Sequence, residues 1–228
     1  MVVDLPELRE KLGVFKDRQD AGIRLAEMLE AYRDSSAMVF AIPAGGVPVA
    51  ATLAEKLNLS LDVAVVSKIT LPWNTEAGFG AVAFDGTVRL NNQMLGHAGL
   101  SEEEVQRRIE LTTTKVQRRF KELRGDELMP DLTGRKVFLV DDGIASGFTF
   151  RVAVEALKKH GTDEIMAAVP TGHKQALQDL AAEVEAVYCA NVRGGWSFAV
   201  AGAYRRWSDV DEAQVLEILK RFSSGRGA

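Results

Sequence analysis

Short apolar runs without polar alternation, each separated from the next by a helical period, constrain this chain more than any other feature. Residues 38–42, 63–67, 136–140, 164–169 and 186–190 are such runs, rich in Val, Ile and Ala. A strand with one wet face alternates apolar and polar residues, whereas a continuous apolar run belongs to a strand covered on both faces. Between the runs, apolar residues recur at helical spacing, as with Ala21, Leu25, Met28 and Leu29 behind the capping Asp17. The spacing predicts helices over 17–32, 47–57, 102–123, 149–160, 174–182 and 211–222, with a Gly-rich loop after Ser67 and a further strand at 87–91. Strand and helix in alternation give an α/β fold, a mostly parallel central sheet flanked by helices. Ligands of such sheets bind at the carboxyl ends of the strands, so the loops after Ile42, Lys68, Val140, Val169 and Ala190 are where a site is expected.

Composition narrows the function classes. At 228 residues the chain fits a single domain over 1–228 with a sizeable core. Its 28 Lys and Arg against 32 Asp and Glu leave a formal charge of −4, so nucleic acid is not an expected partner. No apolar run approaches the roughly 18 residues that span a membrane, and the first ten residues carry too many charges for a signal peptide. The single Cys189 cannot form an intramolecular disulfide, reads as a small buried hydrophobe, and points to a reduced, cytoplasmic setting. The longest helix opens on a capping box, Ser101 with Glu104, and carries Val105, Ile109, Val116, Phe120 and Leu123 on one stripe. That stripe is suited to the core seam or to a homodimer surface.

The most informative segment runs from Lys136 through Val140 into Asp141, Asp142, Gly143, Ile144, Ala145, Ser146, Gly147, Phe148 and Thr149. A buried strand ends in two acids and passes into small residues that open a helix. Two adjacent carboxylates can accept hydrogen bonds from a vicinal diol or hold a hard divalent ion. Backbone N–H groups at a helix N-terminus, with the Ser146 and Thr149 hydroxyls, make a place for one phosphate. Diol plus phosphate implies a phosphorylated ribose. The segment has neither the Lys of a nucleoside-triphosphate loop nor the glycine spacing of a dinucleotide loop.

Four apolar residues, two acids and a small-residue loop ending in Thr resemble the signature of the type I phosphoribosyltransferases, which bind 5-phosphoribosyl pyrophosphate (PRPP). The resemblance extends over about residues 10–220 and points in particular to an uncharacterised subgroup, through Pro72, Asn74, Glu76 and 80–82 and through 198–204. It implies that Asp141 and Asp142 hold the ribose hydroxyls, directly or through Mg²⁺, and that Ala145, Ser146, Gly147, Phe148 and Thr149 bind the 5′-phosphate. Ala44, Gly45 and Gly46, after the strand 38–42, fall where the family binds pyrophosphate; there the two glycines would permit strained backbone and close approach. Lys68 stands where a basic residue reaches the PRPP phosphates. Many relatives carry Arg or Lys in place of Ala44, and enzymes for 6-oxopurines carry an acid in place of Ala145.

By the same resemblance, residues 70–84 form a mobile lid with Gly78 and Gly80 as hinges, 92–130 a helical insertion, and 1–15 with 190–210 a hood over the acceptor. Trp196, Phe198, Tyr204 and Trp207 are aromatic candidates for stacking on that acceptor, and Glu76 is a candidate acid or base. The implied activity is Mg²⁺-dependent transfer of a 5-phosphoribosyl group from PRPP to a small nitrogenous acceptor. The alternative is a PRPP-binding regulator without catalysis.

Overall fold

In the computed structural model, residues 1–125, 128–162 and 164–223 are described, apart from the side chains of residues 75, 76 and 223. Six strands form the central sheet: β1 (Val2–Asp4), β2 (Met38–Ala41), β3 (Ser60–Val63), β7 (Val137–Val140), β8 (Ile165–His173) and β9 (Ala186–Arg193). They are all parallel, in the order β1-β9-β8-β7-β2-β3. Every residue of β2 and β7 is buried, as continuous apolar runs require. From β2 the chain passes through α2 (Gly46–Leu57) to β3 on one side, and from β7 through α5 (Phe148–Lys159) to β8 on the other. The strand order therefore reverses between β2 and β7, where Ala41 pairs with Val140, and the loops leaving these two strands lie side by side.

The remaining helices are α1 (Arg18–Met28), α3 (Asn92–Ala98), α4 (Glu102–Arg124), α6 (Lys174–Leu180) and α7 (Glu212–Ser223). Asp17 caps α1 by accepting from the Asp20 amide at 3.1 Å, and the Ser101 hydroxyl caps α4 by accepting from the Glu104 amide at 3.2 Å. The apolar stripe of α4 faces inward. Val116 and Leu123 are buried, Val105, Ile109 and Phe120 pack against the main core, and Phe120 stacks on Phe84 at 5.0 Å. Of the two uses expected of that stripe, packing on the core seam is the one seen within the chain. Cys189 is fully buried, as expected of a small hydrophobe. No helix among the described residues is long and apolar enough to cross a membrane.

Four expectations change. The run 63–67, expected as one strand, is divided: Val63 ends β3 of the parallel sheet, and Val66 and Ser67 begin a strand of another sheet. Residues 70–84, expected as a loop, belong instead to β4 (Val66–Leu71) and β5 (Asn74–Ala83), which join β6 (Val88–Leu90) in a separate antiparallel sheet packed on α4 and α5. Glycine lowers strand propensity and so disguised β5. Gly78 and Gly80 are sites of close approach rather than hinges: a Cβ on Gly78 would lie 2.3 Å from the Lys68 stem, and one on Gly80 would lie 2.8 Å from the Arg89 carbonyl. Strands β8 and β9 run past 169 and 190 because their ladder continues, pairing Thr171 with Asn191 and His173 with Arg193. Finally, β1 and α3 have no counterpart in the sequence reading.

One ion pair fastens α4 to the parallel sheet. Arg124 forks onto Asp62 of β3 at 2.8 and 2.9 Å, with both side chains only 4% exposed. Removing one partner strands a buried charge. Arg124→Ala is expected to lower unfolding free energy by about 3–5 kcal/mol, read as a lower urea midpoint with the slope unchanged.

Candidate functional site

Asp141 and Asp142 leave the end of β7 where the strand order reverses. Their conformation is fixed from several sides. The Asp142 amide donates to Asp141 Oδ1 at 2.8 Å, and the Tyr204 hydroxyl donates to the Asp142 carbonyl at 2.6 Å. Ile144 donates to the Thr171 carbonyl at 3.0 Å and accepts from the His173 amide at 2.8 Å, which staples the following loop to β8. Gly147, at φ +69°, then turns the chain into α5, and no side chain caps that helix. The Phe148 amide donates to the Ser146 hydroxyl at 3.4 Å, and the other first-turn N–H groups are left for a ligand.

The two carboxylates face different neighbours. Asp141 lines a cleft of about 760 Å³ together with Lys68, Gly143 and all of 144–149. Asp142 is held by Arg18, whose Nε and Nη2 both reach its Oδ2 at 2.9 Å. Arg18 also donates to the Ser208 carbonyl at 2.7 Å and stacks on Trp207 at 3.9 Å. Tyr204 and Trp207, expected as acceptor platforms, therefore frame this arginine. Phe198 packs on Arg193 and edge-on to His173, and Trp196 is fully exposed.

Gly45 and Gly46 press against the acid pair. A Cβ on Gly45 would come within 2.0 Å of Asp142 Oδ2, and one on Gly46 would lie 2.8 Å from the Val140 carbonyl and 2.9 Å from the Asp141 Cα. Gly45 is in the ordinary right-handed helical region and neither glycine has a positive φ, so the expected strained backbone is not their reason. Close approach is. Ala44 is half-buried at the same turn, packed against the core. Gly143 has its side-chain space filled by Val200, whose Cγ1 would lie 2.5 Å from a Cβ there.

The structure thus brings Asp141, Lys68, Ala145, Ser146, Gly147, Phe148 and Thr149 to one cleft; Asp142, Ala44, Gly45 and Gly46 do not line it, and the two glycines press against the acid pair. Glu76 has its backbone in β5, but its side chain lies outside the described residues. Sequence reasoning missed Arg18, Arg89 and Arg151. Arg18 directly follows the predicted cap of α1, and nothing local marks it as the partner of a residue 124 positions away.

Comparison with known proteins identifies the family. The profile described as phosphoribosyl transferase domain matches residues 87–201, the stretch from β6 to Val200 and Ala201 that contains the acid pair and its loop. Two Mycobacterium tuberculosis proteins, Rv0571c of strain H37Rv and MT0597 of strain CDC 1551, are provisionally named phosphoribosyl transferases. Each is 36% identical to this chain over 213 residues. This chain belongs to the phosphoribosyl transferase domain family. Those alignments cover 92% of the chain but 47% of each relative, so the chain spans about half their length. The crystal structure of TT1426 from Thermus thermophilus superposes with a TM-score of 0.72 at 30% identity, covering 91% of this chain and 98% of that one. AQ2163 from Aquifex aeolicus, at 14% identity and a TM-score of 0.50 over 90% and 91% of the two chains, shares the fold.

Within this family member, burial pushes Asp141 well above the usual carboxylate range, and the neighbouring Asp142 charge adds to it. Burial raises Asp142 as well, with the Arg18 guanidinium opposing. The folded chain therefore holds these protons more tightly than the unfolded chain. The resulting stability is complete below the ordinary carboxylate pKa and is lost as pH rises through the raised one. Asp141→Asn keeps the acceptor for the Asp142 amide and removes the buried charge. Its Tm at pH 7 is expected to rise by about 2–4 °C, the shift of roughly 1 kcal/mol in a chain this size, with no gain at pH 4. Gly46→Ala acts oppositely, because its Cβ meets backbone that cannot step aside; a loss of about 1–3 kcal/mol is expected in chemical unfolding.

Proposed function

We propose that the chain transfers a 5-phosphoribosyl group from PRPP to a small nitrogenous acceptor, with Mg²⁺ and with release of pyrophosphate. One observation carries the reading: Asp141 opens into the same cleft as the loop 144–149 and the uncapped start of α5. Diol acceptor, phosphate cradle and cation stand in one continuous space.

The roles follow from chemistry. Asp141 accepts the ribose hydroxyls, while Asp142, tied to Arg18, keeps the pair in place and shares that task when it turns from the arginine. The amides of 145–149, with the Ser146 and Thr149 hydroxyls, hold the 5′-phosphate. Lys68 meets the pyrophosphate from β4, and the turn before α2 offers the Ala44 and Gly45 N–H groups, the Gly46 amide being taken by the Ile42 carbonyl at 3.1 Å. As the C1′–O bond breaks, its electrons leave on pyrophosphate, and the acceptor nitrogen supplies the pair for the new C1′–N bond. The protein's main task is to position these groups and stabilise charge.

The donor set fits Mg²⁺ in one particular way. No cluster of three or more His, Cys, Asp or Glu able to hold a metal occurs among the described residues. Mg²⁺ commonly takes one or two carboxylates plus phosphate oxygens, and Asp141, backed by Asp142, supplies that share. When bound, the ion neutralises charge on the leaving pyrophosphate.

Ala44 and Ala145, which by the resemblance place no cation where many relatives have one and no acid where enzymes for 6-oxopurines have one, favour a second reading, a PRPP sensor without turnover. Calorimetry and a pyrophosphate-release assay over purines, pyrimidines and small aromatic acids separate the two. The transferase is expected to bind PRPP with Mg²⁺ and to release pyrophosphate with one acceptor class, and Asp141→Asn is expected to weaken binding by about 100-fold or more. Binding without release from any acceptor supports the sensor. Absence of PRPP binding sinks both.

A further inference from the structure

Arg151 lies on α5, two residues past Thr149, and lines the cleft. Its side chain is only 21% exposed, yet it makes no hydrogen bond among the described residues. Nε is buried without a partner, Nη1 stands 3.6 Å from Glu183 Oε1, and Nη2 stands 3.8 Å from Asp179 Oδ2. A guanidinium carries five donors, and leaving them unmade in a protein interior is costly.

Glu183 is already engaged. Arg89 of β6 donates to its Oε2 at 3.0 Å and to its Oε1 at 3.3 Å. Two guanidiniums thus divide one carboxylate, with Asp179 at the margin. Arg89 lines the same cleft, as does Lys68, whereas Asp141 is the carboxylate among the described lining residues. The positive excess lies at the flank of α5, where Glu183 follows α6, and is separate from the loop at the tip of α5.

We propose that Arg89 and Arg151 form a second oxyanion subsite beside the loop 145–149. It takes a further phosphoryl group attached to the 5′-phosphate, so the ligand class is a nucleoside 5′-diphosphate. The proposal rests on the reading of that loop as the 5′-phosphate cradle. A phosphoryl group offers several acceptor oxygens and charge enough for two planar forks, which a carboxylate does not. Occupancy would give the Arg151 donors the partners that Glu183 and Asp179 leave unfilled.

Calorimetry with AMP and ADP, without added metal, tests this on the whole chain and on Arg151→Gln, Arg89→Gln and Lys68→Ala. Wild type is expected to bind ADP at least about tenfold more tightly than AMP. That advantage is expected to shrink to about twofold or less in Arg151→Gln and Arg89→Gln, with AMP affinity retained, and to persist in Lys68→Ala. Arg151→Lys, which keeps the charge without the fork, should retain part of the advantage and guards against misfolding as the cause. No ADP advantage in wild type, including no detectable binding of either nucleotide, overturns the proposal. So does equal weakening of AMP and ADP by Arg151→Gln, which would assign Arg151 to the 5′-phosphate. Loss of the advantage in Lys68→Ala alone would place the second phosphate with the pyrophosphate group and also overturns it. An Arg151-dependent ADP advantage without PRPP binding keeps the subsite and removes the transferase reading instead.

Discussion

Two carboxylates side by side at the end of a buried strand repel one another, and the surrounding structure is arranged around keeping them there. Arg18 reaches Asp142 from the start of α1, held in turn by the Ser208 carbonyl and the Trp207 ring. Gly45 and Gly46 let the start of α2 close over the pair, and Tyr204 fixes the backbone just after it, at the Asp142 carbonyl. Elements from residues 18, 45, 141 and 204 meet at this point, so the same contacts that restrain the acids also join the hood to the sheet. One carboxylate is directed to the cleft while the other pairs with Arg18.

Most of the parallel sheet was legible because its strands are buried on both faces and its helices are amphipathic, two periods that differ clearly. The loop 141–149 was legible for a different reason: its acids, small residues and hydroxyls are contiguous, so the chemistry of the cleft wall is written in one stretch. What was hidden is non-local or unfavourable by propensity. Strand β5 contains Gly78 and Gly80 because Lys68 and the Arg89 backbone crowd them, and that crowding exists only after folding. The stripe of α4 was visible, but whether it faced the core or a second copy was not. Arg18, Arg89 and Arg151 have meaning only through Asp142 and Glu183, which lie far away in sequence.

Distant segments also fill space around the site. At Gly143, Val200 from the short helix 200–203 supplies apolar bulk where a side chain would stand. Two arginines of α4 are engaged in tertiary pairs: Arg124 with Asp62, and Arg119 with Glu212 at 2.7 Å.

The position of β1 has a consequence for how the protein is made. Val2–Asp4 pair in parallel with residues 187–189, about 185 positions later, and the Asn191 side chain donates to the Leu8 and Lys11 carbonyls. Ribosomes deliver β1 ahead of the other five strands of its sheet, yet its only sheet neighbour among the described strands is the last of them to emerge. The edge of the sheet and the hood above it therefore assemble late, after β2, β7 and β8 can already have formed. During synthesis the acids of β7 are exposed before Tyr204 and Trp207 exist to enclose them. The cleft gains its finished shape only as the two distant segments meet, which makes the emergence of residues 186–208 the step that matures the site.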